Sequence, residues 1–259
     1  MKKLEFKMPT FMPGPVKKEM LLCLRDAAID EQNIRYHEYS DGIITGCGLI
    51  EEDMNIGIIN GIVKFGGRLY KLSEKTLLPY EPTDSWTVMK ISFNPETEHR
   101  EYIHFTADLI LDNSAEITSN ELEVGRFKLK KGSRLRTSYK DFSDMATEYD
   151  TVNLIYVRQS ARGVSTLNPE ITTHFAREAY PFLKDNALDC SFCAACLSEG
   201  RSIGRELITR YVCNRLNKEY RDMSNAELHK ALSEILDLIR GRGYLKKGFS
   251  NDDKIMIIN

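Results

Sequence analysis

The chain has 259 residues, with 36 Lys and Arg against 38 Asp and Glu and a formal charge of −2. Hydrophobic residues make up 42% and charged residues 29%, which supports a sizeable core and excludes collagen-like, low-complexity and wholly disordered chains. So even a charge balance gives no whole-chain argument for a nucleic-acid or anionic-membrane partner.

Residues 1–13 read as an extended arm, because Pro9, Pro13 and Pro15 disfavour regular structure. Leu4, Phe6, Met8, Phe11 and Met12 are interrupted by charges, Thr10 and prolines, so no secretory signal is expected after Met1-Lys2-Lys3. Nothing approaches the run of about 18 apolar residues that a membrane span needs. Residues 16–34 are expected to be helical, with Met20, Leu21, Cys23 (or Leu24), Ala27 and Ile34 near helical spacing and Lys17, Lys18 and Glu19 opening the polar face.

A β-rich block follows. Asp41-Gly42, Asn60-Gly61 and Gly66-Gly67 are turn dipeptides able to supply positive φ. Apolar runs lie between them at residues 43–50, 54–59, 62–65 and 68–72, and the pair flanking Gly66-Gly67 has the signature of a hairpin. Two longer strands are expected at residues 86–93 and 102–111, joined by the polar loop 94–100. Residues 125–130 alternate Arg126, Lys128 and Lys130 with Phe127 and Leu129, and 152–157 reads as a further strand. The β region is therefore expected over about residues 41–160 as about seven to nine short strands. The lone Trp86, with Tyr70, Tyr80 and Phe93 nearby, is expected to anchor its core.

Asn168-Pro169-Glu170 marks a change of class, since Asn can cap and Pro suits the first helical position. Helices are expected around 169–183, 186–198, 201–217 and 225–240. The last opens on the capping box Ser224-Asn225-Ala226-Glu227 and carries Leu228, Leu232, Ile235 and Ile239 as a packed seam. Gly241 and Gly243 end it, and residues 255–258 can form a short terminal strand. The expected class is α+β: an N-terminal arm and helix (1–40), a central antiparallel β-rich module (41–165) and a C-terminal helical bundle (166–259).

Cys190, Cys193 and Cys196 have spacings that ligate zinc or iron–sulfur clusters, with Cys213 as a fourth thiol. Their surroundings read as helix, where residues three apart diverge around the axis, so buried apolar roles are expected and no metal site is assigned. Six cysteines are too sparse for a disulfide scaffold, which points to folding in a reducing cytoplasm. Residues 125–140 hold seven bases and no acid, which reads as a solvated face or an interface rim rather than a phosphate-contacting strip. His37, His99, His104, His174 and His229 are scattered and form no ligand motif, and each reads as a surface or satisfied core residue. No nucleophile elbow, phosphate loop or dinucleotide fingerprint is present. No catalytic residue, cofactor or nucleic-acid or membrane partner is assigned, and a protein working through surfaces is expected.

Four stretches, read together over about residues 11–180, resemble a family of tail-region proteins from phages, prophages and tail-like bacteriocins of Gram-positive bacteria. The first runs from Gly14-Pro15-Val16-Lys17 through Tyr36 and Tyr39 to Ser40-Asp41-Gly42-Ile43-Ile44-Thr45-Gly46. The second pairs Gly61-Ile62-Val63-Lys64 with Gly67-Arg68-Leu69-Tyr70, the third is Leu78-Pro79-Tyr80-Glu81-Pro82-Thr83, and the fourth is Glu123-Val124-Gly125-Arg126-Phe127-Lys128-Leu129. The resemblance implies a structural, non-enzymatic baseplate or tail-fibre-attachment component, assembled in the bacterial cytoplasm into a virion or tail-like particle. Its implied partners are other baseplate proteins, the tail fibre, and further copies of itself in a symmetric assembly. The runner-up is a receptor-binding adhesin at the tail tip, and a third reading is an intracellular metal- or nucleic-acid-binding protein.

Overall fold

The computed structural model describes residues 17–100, 102–184, 186–198 and 202–241. The expected arm, Gly243 and the terminal strand at 255–258 lie outside the described residues. The chain opens on α1 (Lys18–Tyr36), rich in Leu, Ala and Glu, with Glu19 in its first turn and Arg35 in its last. Among the described residues, no other helix or strand packs extensively along α1. Its C-terminal end is held instead by Lys64, whose Nζ donates to the carbonyls of Tyr36 (2.5 Å), His37 (3.2 Å) and Tyr39 (2.5 Å). A buried cation at a helix C-terminus satisfies carbonyls that have no intrahelical partner and complements the helix dipole.

Antiparallel sheets fill the middle of the chain. β1 (Gly42–Gly46), β4 (Gly61–Phe65) and β5 (Arg68–Leu72) form one sheet in the order β1-β4-β5. β2 (Leu49–Glu52), β3 (Asn55–Ile58) and β6 (Thr76–Pro79) form a second, ordered β2-β3-β6. The third places β7 (Trp86–Phe93) between β10 (Ala107–Asp112) and β11 (Glu121–Lys128), and β8 (Thr97–Glu98) pairs with β9 (Ile103–His104) as a small hairpin. Ile43, Ile56, Ile58, Val63, Met89, Phe93, Val124, Phe127 and Val157 meet in one buried cluster.

Local chemistry explains where this departs from the expected strands. The run 43–50 divides because Gly46 (φ +68°) and Cys47 (φ +58°) turn the chain from one sheet into the next. Met54 belongs to a turn rather than a strand. Asp53 and Met54 both take positive φ, supported by a bond from the Met54 N–H to Glu51 Oε1 and by the Asn55 side chain on the Glu52 and Asp53 carbonyls. Gly61 does not supply positive φ. It is required because an added Cβ would lie 2.4 Å from Cys47 Sγ and 2.5 Å from Cys47 N. Gly66 (φ +56°) and Gly67 (φ +76°) do close the β4–β5 hairpin as expected.

The expected strand at 152–157 is not a ladder strand. Asn153 makes an isolated bridge with Arg126, and its side-chain oxygen then takes the Ile155 N–H at 2.8 Å, diverting the chain into a turn. The β ladders accordingly end at Lys128, and residues 129–168 form a long connection with one short 3₁₀ turn, Asp144–Ala146. Trp86 is half buried at the start of β7 and lies outside the buried cluster, which Tyr80 and Phe93 anchor instead.

Four helices complete the fold: α2 (Pro169–Ala179, prolonged by a 3₁₀ turn at Tyr180–Phe182), α3 (Ala187–Leu197), α4 (Arg205–Arg215) and α5 (Asn225–Ile239). Each of α2, α3 and α5 starts at the side-chain cap its sequence offers: Asn168 on Glu170 N, Asn186 on Leu188 N and Asp189 N, and the reciprocal Ser224–Glu227 box. α2 packs on α3 and α5, and α4 on α5. Leu228, Leu232, Ile235 and Ile239 bury the expected seam in one cluster with Phe175, Phe192, Tyr211 and Val212. Burying each such large side chain contributes on the order of 2 kcal/mol. Phe142, Met145 and Leu167 from the long connection enter this helical cluster, whereas Val152 and Val157 enter the β cluster.

Candidate assembly surfaces

The cysteine series lies on one helix, as its apolar neighbours imply. Cys190 is exposed, while Cys193 and Cys196 are buried in the helical core, and burial pushes both thiols up to about 12. Cys213, on α4, is buried and directs its Sγ at the Glu219 carbonyl, 3.4 Å away. Among the described residues, no group of three or more His, Cys, Asp or Glu side chains is arranged to hold a metal. The polar feature beside Cys193 is a lock between helices. The Tyr211 hydroxyl donates to buried Asp189 Oδ1 at 2.9 Å, and Arg215 Nε lies 2.7 Å from the same oxygen. Burial first, and then the Asp189 charge, hold the Tyr211 hydroxyl protonated.

Among the described residues, four of the seven bases of the strip lie beside acids of the same chain. Arg126 grips buried Glu123 with Nε at 2.6 Å and Nη2 at 2.5 Å, and its guanidinium sits 3.9 Å over the Tyr156 ring. Lys128 pairs with Glu148 at 2.9 Å and shares the Tyr149 ring with Lys130, and Arg134 approaches Glu51 at 3.8 Å. Arg136 makes a bidentate pair with Asp144 at 3.0 and 2.9 Å, which holds that carboxyl down at about 2. These acids come from elsewhere in the chain, so a window of residues 125–140 could not show them. The paired members, Arg126, Lys128 and Arg136 above all, are engaged within the fold, while Lys131 and Lys140 are exposed.

Buried charges that sequence reasoning missed act as joints. Lys90, in the middle of β7, donates to Asp112 Oδ2 and the Glu116 carbonyl, each at 2.6 Å, with Glu121 at 3.4 Å. Burial disfavours its charge, yet Asp112 and Glu121 more than offset this and hold the ammonium protonated. Arg205 reaches the Ser165 carbonyl (2.5 Å), the Met223 carbonyl (2.6 Å) and Asn225 Oδ1. The signal available for Lys64 and Lys90 was a lone cation inside a strand's apolar run. His229 departs from a satisfied core histidine, because it is buried against Phe142 with no hydrogen-bond partner for Nε2 among the described residues.

Several large apolar side chains face outward. On α1, Leu21 is 56% and Ile34 74% exposed, with Leu24 and Ile29 also exposed. A cleft of about 640 Å³ separates α3 from α4, edged by exposed Leu188, Leu207 and Tyr220. A second opening, of about 460 Å³, lies between β5 and β10, with Cys47, Ile58, Val63 and Ile91 among its lining. A third, of about 430 Å³, adjoins it across the stack of Arg68 on the Phe105 ring (4.0 Å). Among the described residues, burial holds the Cys193 and Cys196 thiols protonated, and arginines pair with the Glu123 and Asp144 carboxylates.

The four stretches that carry the tail-protein resemblance are the joints of the β-rich part. The first two meet through the β1–β4 ladder and through Lys64 on the Tyr36 and Tyr39 carbonyls. The third and fourth meet where Tyr80 packs edge-on against Phe127 at 5.7 Å, and where the Asp84 N–H that follows bonds the Leu129 carbonyl at 3.0 Å.

No protein-family model matches the chain. No curated protein matches it either. Among solved structures, the chain is similar to a crystal structure of TssK, with a TM-score of 0.47, 9% identity, and coverage of 92% of this chain and 72% of that one. It is also similar to a chain of the type VI secretion system TssK-TssF-TssG baseplate subcomplex, with a TM-score of 0.39, 9% identity, and coverage of 91% of this chain and all of that one. At this level the likeness assigns the chain to no family.

Proposed function

We propose that this chain is a structural component of the baseplate of a phage or phage-tail-like particle, linking baseplate to fibres or receptor-binding parts through protein–protein contacts. One observation carries the reading. The four resembling stretches, scattered over more than a hundred residues of sequence, are the contacts that hold α1, the sheets and the start of the long connection together. They are motifs of an architecture, with no catalytic residue among them to transfer. The exposed apolar side chains of α1 and of the α3–α4 cleft support partners along both ends of the chain, since such patches mark interaction surfaces. The division into residues 1–40, 41–165 and 166–259 belongs to the same proposal, with the β-rich part and α1 as attachment unit and the helices toward other partners.

The test is fractionation of tail particles from a producing strain, followed by quantitative mass spectrometry. The expected result is co-sedimentation with assembled tails at a copy number that is a multiple of the tail symmetry. Purified protein should fail to bind whole host cells. Cell binding by the isolated chain, with absence from tails lacking fibres, would overturn the linking role in favour of an adhesin.

A further inference from the structure

A buried polar side chain whose groups are only partly paired shows what it can still bind. The turn from β1 to β2, the long connection and the start of α2 together enclose a pocket of about 340 Å³. Thr45, Thr137, Tyr139, Gln159, Asn168 and Glu170 form its polar wall. Three of these have groups already committed within the fold. The Tyr139 hydroxyl donates to the Val152 carbonyl at 2.7 Å, which leaves its oxygen with lone pairs alone. Gln159 Nε2 donates to the Ile44 carbonyl at 3.4 Å, which leaves Oε1 as an acceptor without a partner among the described residues. Gln159 is only 5% exposed, and an acceptor left unpaired at such depth is destabilising. Asn168 Oδ1 takes the Glu170 N–H at 2.9 Å, so the group this cap has free is its Nδ2 donor. The Thr45 and Thr137 hydroxyls have no bond among the described residues and can turn either way. Acceptors thus outnumber donors around the pocket.

The charge has the matching sign. Among the described residues, Glu170 is the one charged side chain lining the pocket, and its basic neighbour is His174 Nε2 at 3.8 Å. Burial first, then the charges of Glu170 and Asp144, hold the Tyr139 hydroxyl protonated. Asp144 is answered by Arg136, whereas no lysine or arginine among the described residues pairs with Glu170. An occupant must therefore be positive and rich in N–H donors. We infer that the pocket receives the side chain of an arginine from a partner protein. A guanidinium is planar, always charged and carries five N–H donors around its edge. It meets acceptors on several walls at once, whereas a lysine ammonium gathers its donors at one point. A volume of about 340 Å³ is at the small end of ligand sites, which suits one long side chain. Leu49 and Leu154 supply apolar lining for its methylene stem. The chain's own Arg126, Arg136 and Arg205 are engaged elsewhere, which leaves the place to a partner. An arginine seated here touches the β-rich part and the start of α2 together. The inference rests on the reading of the chain as a protein that works through protein–protein contacts, and it names the chemistry of one such contact.

The full chain, isotopically labelled, is titrated with N-acetyl-arginine methylamide while NMR follows the side-chain amide signals of Gln159 and Asn168. Both signals are expected to shift and saturate, with a Kd on the order of 1 mM for a side chain detached from its protein. The citrulline analogue keeps the shape and lacks the charge, and should bind at least about tenfold more weakly. The lysine analogue should also bind more weakly than arginine. Glu170→Gln should lower arginine affinity about tenfold at low salt. Glu170 is exposed, so the variant should keep the parent circular dichroism spectrum. Shifts that never saturate, citrulline binding as tight as arginine, or unchanged affinity in folded Glu170→Gln overturns the proposal. Lysine binding as tight as arginine overturns the choice of a guanidinium, and glucose moving the same two signals overturns the choice of a cation. The titration involves no tail particle, so its failure leaves the baseplate reading standing, and failure of the fractionation leaves the titration result unaltered.

Discussion

His229 and Asp144 show how single side chains in this fold couple stability to pH. His229 stacks on Phe142 at 4.5 Å inside the helical core, and burial depresses its pKa to about 4, although a hydrogen bond with the Phe142 backbone pulls the other way. The folded state therefore holds it neutral, while the unfolded chain protonates near its ordinary 6.5. Stability from this residue is complete above about pH 6.5 and falls as pH drops toward 4, by up to about 3 kcal/mol. Urea midpoints at pH 7 and pH 5 measure it: His229→Leu should flatten the dependence across that window, and an unchanged slope would exclude the mechanism. Asp144 acts lower. Held at about 2 by Arg136, it contributes stability that is present above the ordinary carboxylate range and lost as pH falls through about 2. Asp144→Asn removes the charge that Arg136 and the Lys140 N–H address, and should cost about 1 to 3 kcal/mol at pH 7. The pH window, rather than the size of the loss, separates the two residues.

At the scale of elements, Lys64 decides whether α1 is part of the folded body. Its ammonium is the described tie between the helix and β4, and three carbonyls depend on it. A helix of 19 residues on which no other described element packs extensively gains little from propensity alone in water. Lys64→Met should therefore speed hydrogen exchange of the α1 amides by about a hundredfold, the loss of about 3 kcal/mol of charge-assisted bonding, while amides of β7 stay protected. Equal protection of α1 in the variant would show that packing, not the lysine, holds it. Elements ruled by local signals were legible in sequence. The Asn168 cap with Pro169, the Ser224–Glu227 box and the Gly66-Gly67 hairpin fall where their residues said, because a cap or a primed turn is written within four positions. What stayed hidden depends on partners distant in sequence. The basic strip looked free because Glu51, Asp144 and Glu148 lie outside it. Residues 152–157 looked like a strand because the Asn153 side chain that diverts them is invisible to period-two counting. The opening between β5 and β10 needs two sheets to exist at all.

At the scale of the whole molecule, two buried clusters share one connecting segment. Residues 129–168 send Phe142, Met145, Ile155 and Leu167 into the helical cluster, and Leu135, Val152 and Val157 into the β cluster. Ile155 and Val157 are two residues apart, so one cluster cannot lose its share of this segment without disturbing the other. Arg205 and Asn225 tighten the coupling from the helical side. Arg205 holds the Ser165 carbonyl, and Asn225 donates to the Val157 carbonyl at 3.0 Å while accepting from Arg205. The two cores should therefore unfold together, and the chain carries its own pair of reporters. Trp86, the single tryptophan, lies on β7, whereas signal at the helical wavelength comes mainly from α2 to α5 together with α1. In a thermal melt, Trp86 fluorescence and helical circular dichroism are expected to share one midpoint in the parent chain. Arg205→Met leaves two carbonyls and the Asn225 amide without their cation, and should split the transitions, with helical signal lost first. Separate midpoints in the parent would show that the cores are independent domains merely linked by residues 129–168. A common midpoint surviving Arg205→Met would assign the coupling to the shared apolar residues, and Ile155→Ala, at a cost of about 3 kcal/mol, would then lower both signals in step.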